Sequence, residues 1–180
     1  MLTCRVPRFA VLLVLAAVVL GGCTPSTSAS SPTPAVSVTT ASPTPTLSEG
    51  QKAADDVVVK YRALIDQLRS QDLPNVSLLA TLARDDAYAK WGRILQNDFQ
   101  TGYHQVGTTS ITITSTDPGT SATEWLVSGC LDMSMADMVD KNGKSGLATP
   151  AGRQQVKYTV DQDPKNFAWY VTKDEAGESC

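Results

Sequence analysis

Residues 101–119, TGYHQVGTTSITITSTDPG, hold the point at which the hydrophobic period of the chain changes. Before Gly102 the apolar residues recur every three or four positions, the spacing of one helix face. From Tyr103 the period becomes two: Ile111 and Ile113, with Ser115, alternate with Thr112, Thr114 and Thr116. That alternation predicts a half-buried strand, and Asp117-Pro118-Gly119 supplies a turn after it.

Upstream of this point, Ser48-Glu49-Gly50-Gln51 has the form of a capping box. Behind it Ala54, Val57, Val58, Tyr61, Leu64, Ile65 and Leu68 predict an amphipathic helix over 49–70. Asp55, Lys60, Arg62, Asp66 and Arg69 are assigned to its polar face. Asp72-Leu73-Pro74 ends it. A short helix is expected through Val76–Ala83, and a longer one through Asp85–Phe99 that stops at Gly102. Downstream, strands are expected over 123–131, 155–160 and 167–171, with turns at 140–143 and 163–164. Three helices followed by four hairpin-linked strands is an α+β pattern, with a curved antiparallel sheet laid on the long helix.

The folded part is therefore expected over 49–180. Residues 24–48, TPSTSASSPTPAVSVTTASPTPTLS, contain nineteen Thr, Ser or Pro among twenty-five and no charge. So little apolar surface cannot offset chain entropy, which predicts a disordered tether. Five prolines give it a reach of up to about 78 Å at roughly 3.1 Å per residue.

Residues 1–22 read as an export signal: Arg5 and Arg8, an apolar run from Phe9 to Leu20, then Gly21-Gly22. The run is short for a membrane span. Leu20-Gly21-Gly22-Cys23 resembles the lipobox of bacterial lipoproteins. That resemblance implies cleavage before Cys23 and diacylglycerol on its sulfur, with two acyl chains holding the protein on the outer face of a cell membrane. The organisation is then 1–22 signal peptide, 23–48 lipidated cysteine and tether, 49–180 globular domain.

Fifteen Lys and Arg against eighteen Asp and Glu give a net charge of −3, which speaks against a nucleic-acid partner. Cys130 and Cys180 are the two cysteines of the expected domain. In an exported protein such a pair is expected to form a disulfide. Redox-active thiols and an intermolecular bridge are the alternatives, without a CxxC spacing to tune them.

The order of helices and strands is similar to the cone-shaped fold named after nuclear transport factor 2. Within it, the chain looks like small secreted lipoproteins of high-GC Gram-positive bacteria. The resemblance rests on the lipobox and tether, Cys130-Leu131-Asp132, the turn from Asp140 to Gly143, Arg153, Trp169-Tyr170-Val171 and Cys180. It implies a fold and an unassigned function.

No catalytic or cofactor motif stands out: there is no G-x-S-x-G, H-E-x-x-H or Gly-rich phosphate loop. His104, the single histidine, has no nucleophile at a recognised spacing and reads as a strand-edge residue. A calcium loop from Asp140 fails, with Lys144 and Ala151 where acids are required. Met133, Met135 and Met138 fall within six residues and suit either soft Cu(I) or adaptable apolar packing. Tyr61, Trp91, Ile113, Trp125, Val127, Tyr158 and Trp169 are the candidate pocket lining. The inward strand positions (Ile111, Ile113, Trp125, Val127, Val156, Tyr158 and Trp169) include no carboxylate. The expectation is a non-enzymatic, lipid-anchored adaptor for another envelope component, since a long tether gives contact range; the alternative is a carrier of a small apolar ligand.

Overall fold

The computed structural model describes residues 48–149 and 151–180; the signal-like segment, Cys23 and nearly all of the tether lie outside them. Helix α1 spans Glu49–Arg69. The expected capping box opens it: Ser48 Oγ accepts from the Gln51 amide at 3.2 Å, and Gln51 Oε1 accepts from the Ser48 amide at 2.8 Å. A 3₁₀ segment follows over Val76–Thr81, where a short helix was expected, and α2 spans Asp85–Thr101. Gly102 takes a positive φ of 74° just past α2, a conformation that favours glycine, and the Tyr103 amide caps the Asp98 carbonyl.

The strands are β1 (His104–Gly107), β2 (Ser110–Pro118), β3 (Glu124–Asp132), β4 (Ala136–Val139), β5 (Arg153–Gln162) and β6 (Trp169–Ser179). Four of them form a sheet in the order β2-β3-β5-β6, antiparallel throughout. Register shifts at Ile113/Ser115, Gln154/Val156 and Thr159/Val160 bend it. Two features depart from the sequence reading. Strands β1 and β4 pair as a separate two-stranded ribbon, with Gln105 opposite Met138. Strand β6 also continues well past Val171, through Thr-Lys-Asp-Glu-Ala-Gly-Glu-Ser.

The helices and the sheet share one core. Ala54, Val57, Val58, Tyr61, Ile65 and Leu68 of α1 meet Ala87, Trp91 and Leu95 of α2 and Val127, Leu131, Val156, Tyr158, Val160 and Val171 of the sheet. Burying each branched aliphatic side chain contributes about 1.5–3 kcal/mol. Tyr61 and Tyr158 meet edge to face, with ring centroids 6.1 Å apart. The segment after the 3₁₀ turn covers the outer edge of β6, since Ala83 bridges Val171 in parallel and main-chain bonds join Arg84 to Val171 and Val171 to Leu82. Around Val171, a strand edge that would otherwise invite another chain is closed in this way.

Cys130 and Cys180 are disulfide-bonded, as the sequence leads one to expect. Alternation along β3 places Cys130 opposite to Leu131, on the sheet face turned away from the helices. The bridge fastens the end of β6 to β3 across β5.

Candidate functional cavity

One residue of α1 breaks the amphipathic rule. Arg62, expected on the polar face, is only 7% exposed. It lies among residues of α2, the sheet and the β1–β4 ribbon, which covers this side of α1. A cavity of about 240 Å³ remains beneath that cover. Its walls come from α1 (Arg62, Arg69), α2 (Lys90, Trp91), the ribbon (Gln105, Met138) and the sheet (Leu131, Val156, Asp174). Met133 and Leu147, flanking β4, complete the apolar side.

Asp174 organises the polar side. Its carboxylate is nearly buried, and its Oδ2 accepts from Trp91 Nε1 at 2.6 Å and Tyr61 Oη at 3.0 Å. Lys90 Nζ donates to Oδ1 at 3.0 Å and to the Asp174 main-chain carbonyl at 2.8 Å. Arg62 Nη1 lies 4.0 Å from Oδ2. The inward positions of the sheet therefore do include a carboxylate, contrary to the sequence reading, because β6 is longer than its hydrophobic run. Burial, reinforced by the Asp174 charge, holds the Tyr61 phenol well above its ordinary pKa.

The guanidinium of Arg62 lies 5.2 Å from the centre of the Trp91 ring, and that of Arg69 lies 5.7 Å from it. Arg69 is paired with Asp98 at 3.0 Å, so its charge is matched. Arg62 Nε, by contrast, has no hydrogen-bond partner among the described residues, and neither has Gln105 Nε2, on a residue 3% exposed. Leaving a buried donor unmatched costs about 1–3 kcal/mol. The Tyr158 hydroxyl is a third orphan, and burial raises its pKa. The nearby Arg62 guanidinium works in the opposite direction, although no hydrogen bond of good geometry joins the two.

Hydrogen bonds hold the cover in place. The amide and hydroxyl of Thr109, between β1 and β2, both donate to the Asp66 carboxylate of α1. The Gly146 amide donates to the Met138 carbonyl, which folds the 140–147 loop back and brings Leu147 over the cavity. Asp137, at the rim, accepts from the Met138 amide and the Ser145 hydroxyl.

Of the seven candidate lining residues, Trp91 lines this cavity. Tyr61, Val127 and Tyr158 are fully buried core, and Ile113, Trp125 and Trp169 pack partly buried against it. Trp125 covers Gly50, at the start of α1. Sequence reasoning missed Arg62, Lys90, Gln105 and Asp174. Arg62 alone carried a signal, since it immediately follows Tyr61 on the apolar stripe. Met133 and Met138 line the cavity while Met135 is 79% exposed, so the three thioethers do not form one ligand set. His104 opens β1 opposite Val139. Among the described residues no group of three His, Cys, Asp or Glu is placed to hold a metal ion.

No protein-family model matches the chain, and no curated protein matches it. Solved structures do resemble it. The intermembrane-space region of the chloroplast protein ARC6 is 17% identical, with a TM-score of 0.60 over 75% of this chain and all of that one. A candidate scytalone dehydratase from Novosphingobium aromaticivorans is 15% identical, with a TM-score of 0.42 over 72% of this chain and 83% of that one. A protein of unknown function with a cystatin-like fold from Nostoc punctiforme is 14% identical, with a TM-score of 0.38 over 69% and 87%. At such identities the first likeness is one of fold alone: helices on a curved antiparallel sheet.

Proposed function

We propose that this chain is a lipid-anchored, extracytoplasmic binding protein that holds a small ligand in the cavity beneath the β1–β4 ribbon, in a fold of the nuclear transport factor 2-like cone type. The observation that carries this reading is the cavity itself, about 240 Å³ in volume, with Leu131, Met133, Met138 and Val156 on its apolar side and Arg62, Lys90 and Asp174 on its polar side. Concave, mostly apolar sites with a few convergent polar groups are the usual form of small-molecule sites. Binding is favoured over catalysis because the two oxygens of Asp174 are already committed to Tyr61, Trp91 and Lys90. A general base needs an oxygen aimed at the substrate proton instead.

Native mass spectrometry of the exported protein tests this. Excess mass that disappears on denaturation is the expected result, and a bare mass from native envelope extracts would remove the reading. Anchoring is supported by Arg5 and Arg8, the apolar run and the Leu20-Gly21-Gly22-Cys23 sequence. Cys23→Ser is expected to release the protein into the medium, and membrane retention of the variant would count against the lipid. The uncharged Ser/Thr/Pro stretch over 24–48 favours a second reading, an adaptor for another envelope protein. A specific crosslink lost on surface substitution but kept on cavity substitution would support it.

A further inference from the structure

The charges around the cavity cancel. Arg62, Arg69 and Lys90 bring three positive charges to its walls, and Asp174 and Asp137 bring two negative ones. Asp98 supplies the third, paired with Arg69 at 3.0 Å. These groups are also engaged with one another rather than with the open space. Lys90 donates to the carboxylate and the main-chain carbonyl of Asp174, and Arg62 stacks on Trp91 and faces the same carboxylate. Asp137 accepts from the Met138 amide and the Ser145 hydroxyl. The unpartnered Arg62 Nε and Gln105 Nε2 have no surface that a ligand could reach. What remains open to an occupant is mainly apolar: Leu131, Met133, Met138, Leu147 and Val156.

We propose that the ligand is an uncharged, largely apolar molecule with a short chain or a single ring. This inference rests on the binding role proposed above and specifies its ligand class. An ion entering the cavity would give up its hydration and meet no free counter-charge, a loss that an uncharged molecule avoids. The apolar walls reward a hydrocarbon body by withdrawing it from water. The volume of about 240 Å³ limits that body to a short chain or a single ring. Unbranched, polarisable methionines adapt to more than one such shape.

Calorimetric titration of the exported chain carrying Cys23→Ser tests the inference, since that substitution removes acyl groups that could compete for the cavity. Octanol, octanoate and octylamine share one hydrocarbon body and differ in the head. Octanol is expected to bind about tenfold or more tightly than either ion, the preference that an unpaired charge in a half-enclosed apolar site confers. Asp137→Asn keeps the shape and an accepting oxygen but removes one negative charge from the balance. The octanol-to-octanoate ratio should then fall by about threefold, while the octanol-to-octylamine ratio rises. Octanoate or octylamine binding as tightly as octanol to the unaltered cavity would overturn the uncharged class while leaving a binding cavity in place. Ratios that Asp137→Asn leaves unmoved would also overturn the inference, because charge balance would not be setting the choice. Failure of all three to bind would remove the cavity reading as well.

Discussion

Trp91 Nε1 donates to Asp174 Oδ2 at 2.6 Å, joining the middle of α2 to the middle of β6 across 83 positions of sequence. Tyr61 from α1 and Lys90 from α2 converge on the same carboxylate. Both helices and the sheet thus meet at one buried anion, which also faces the Arg62 guanidinium. The cavity opens beside this junction, so the polar groups that would read a ligand are the ones that fix the helices on the sheet.

Asp174→Ala is expected to cost about 3–5 kcal/mol, the range for removing one partner of a buried pair and leaving the other charge unmatched. Asp174→Asn should cost less, about 1–3 kcal/mol, because its amide oxygen can still accept from Trp91 or Tyr61. Urea denaturation measures both. A change under about 0.5 kcal/mol for the alanine variant would show that the junction is structurally idle.

Gly107 ends β1 at a positive φ of 74°, where a Cβ would run into the Met135 carbonyl. Gly107→Ala is expected to loosen the β1–β4 ribbon and with it Gln105 and Met138, at a cost of about 1–2 kcal/mol for the backbone conformation alone. Hydrogen exchange should quicken in 104–107 and 136–139 while β3 and β5 stay protected. Uniform exchange behaviour would mean that the ribbon does not depend on this glycine.

The main architecture was legible because it follows from period. The α1 stripe, the capping box, the stop at Gly102 and the strands around Ile113, Val127 and Tyr158 all obey simple spacing, and each is present. The cavity was not legible, for three physical reasons. Strand β6 continues through a polar run whose pairing comes from β5 rather than from its own hydrophobicity, so Asp174 lay beyond the expected end. The β1–β4 ribbon is four residues long on each side, too short to show an alternation. Arg62 reads as a surface cation until Trp91, Asp174 and the ribbon enclose it. Of the aromatic residues taken for pocket lining, Trp91 lines the cavity, while Tyr61 and Tyr158 fill the core between helices and sheet.

Alkaline titration tests the burial of these two tyrosines. Burial is the largest cause that raises both phenols, and the Asp174 charge adds to it in each. A group whose pKa is raised in the folded state contributes stability that is fully present below its unfolded value. For tyrosine that value is about 10, and the contribution is lost as pH rises beyond it. Part of the phenolate absorbance is therefore expected to appear only as the protein unfolds. Tyr61 and Tyr158 ionise only with global unfolding, which far-UV circular dichroism registers in parallel. Ionisation of Tyr61 and Tyr158 with the fold intact would contradict their burial.

Opening the Cys130–Cys180 bridge should act on the same end of the molecule. Chain entropy over a separation of 50 residues assigns about 4 kcal/mol to the closure, and 2–4 kcal/mol is the usual measured range. The structural effect is expected to be graded along β6. Near Val171 the strand is held by Val160 and by the Leu82–Arg84 segment, whereas Ala176 to Ser179 pair with β5 on one side only. Cys130→Ala/Cys180→Ala should therefore lower the urea midpoint and free the amides of 176–179, leaving 169–172 protected. Ala176 lines the cavity, so the same variant is expected to weaken ligand binding without touching Arg62 or Gln105. Unchanged stability in the double variant would mean that the end of β6 is fixed by its pairing with β5 alone, and that the bridge adds nothing the sheet does not already supply.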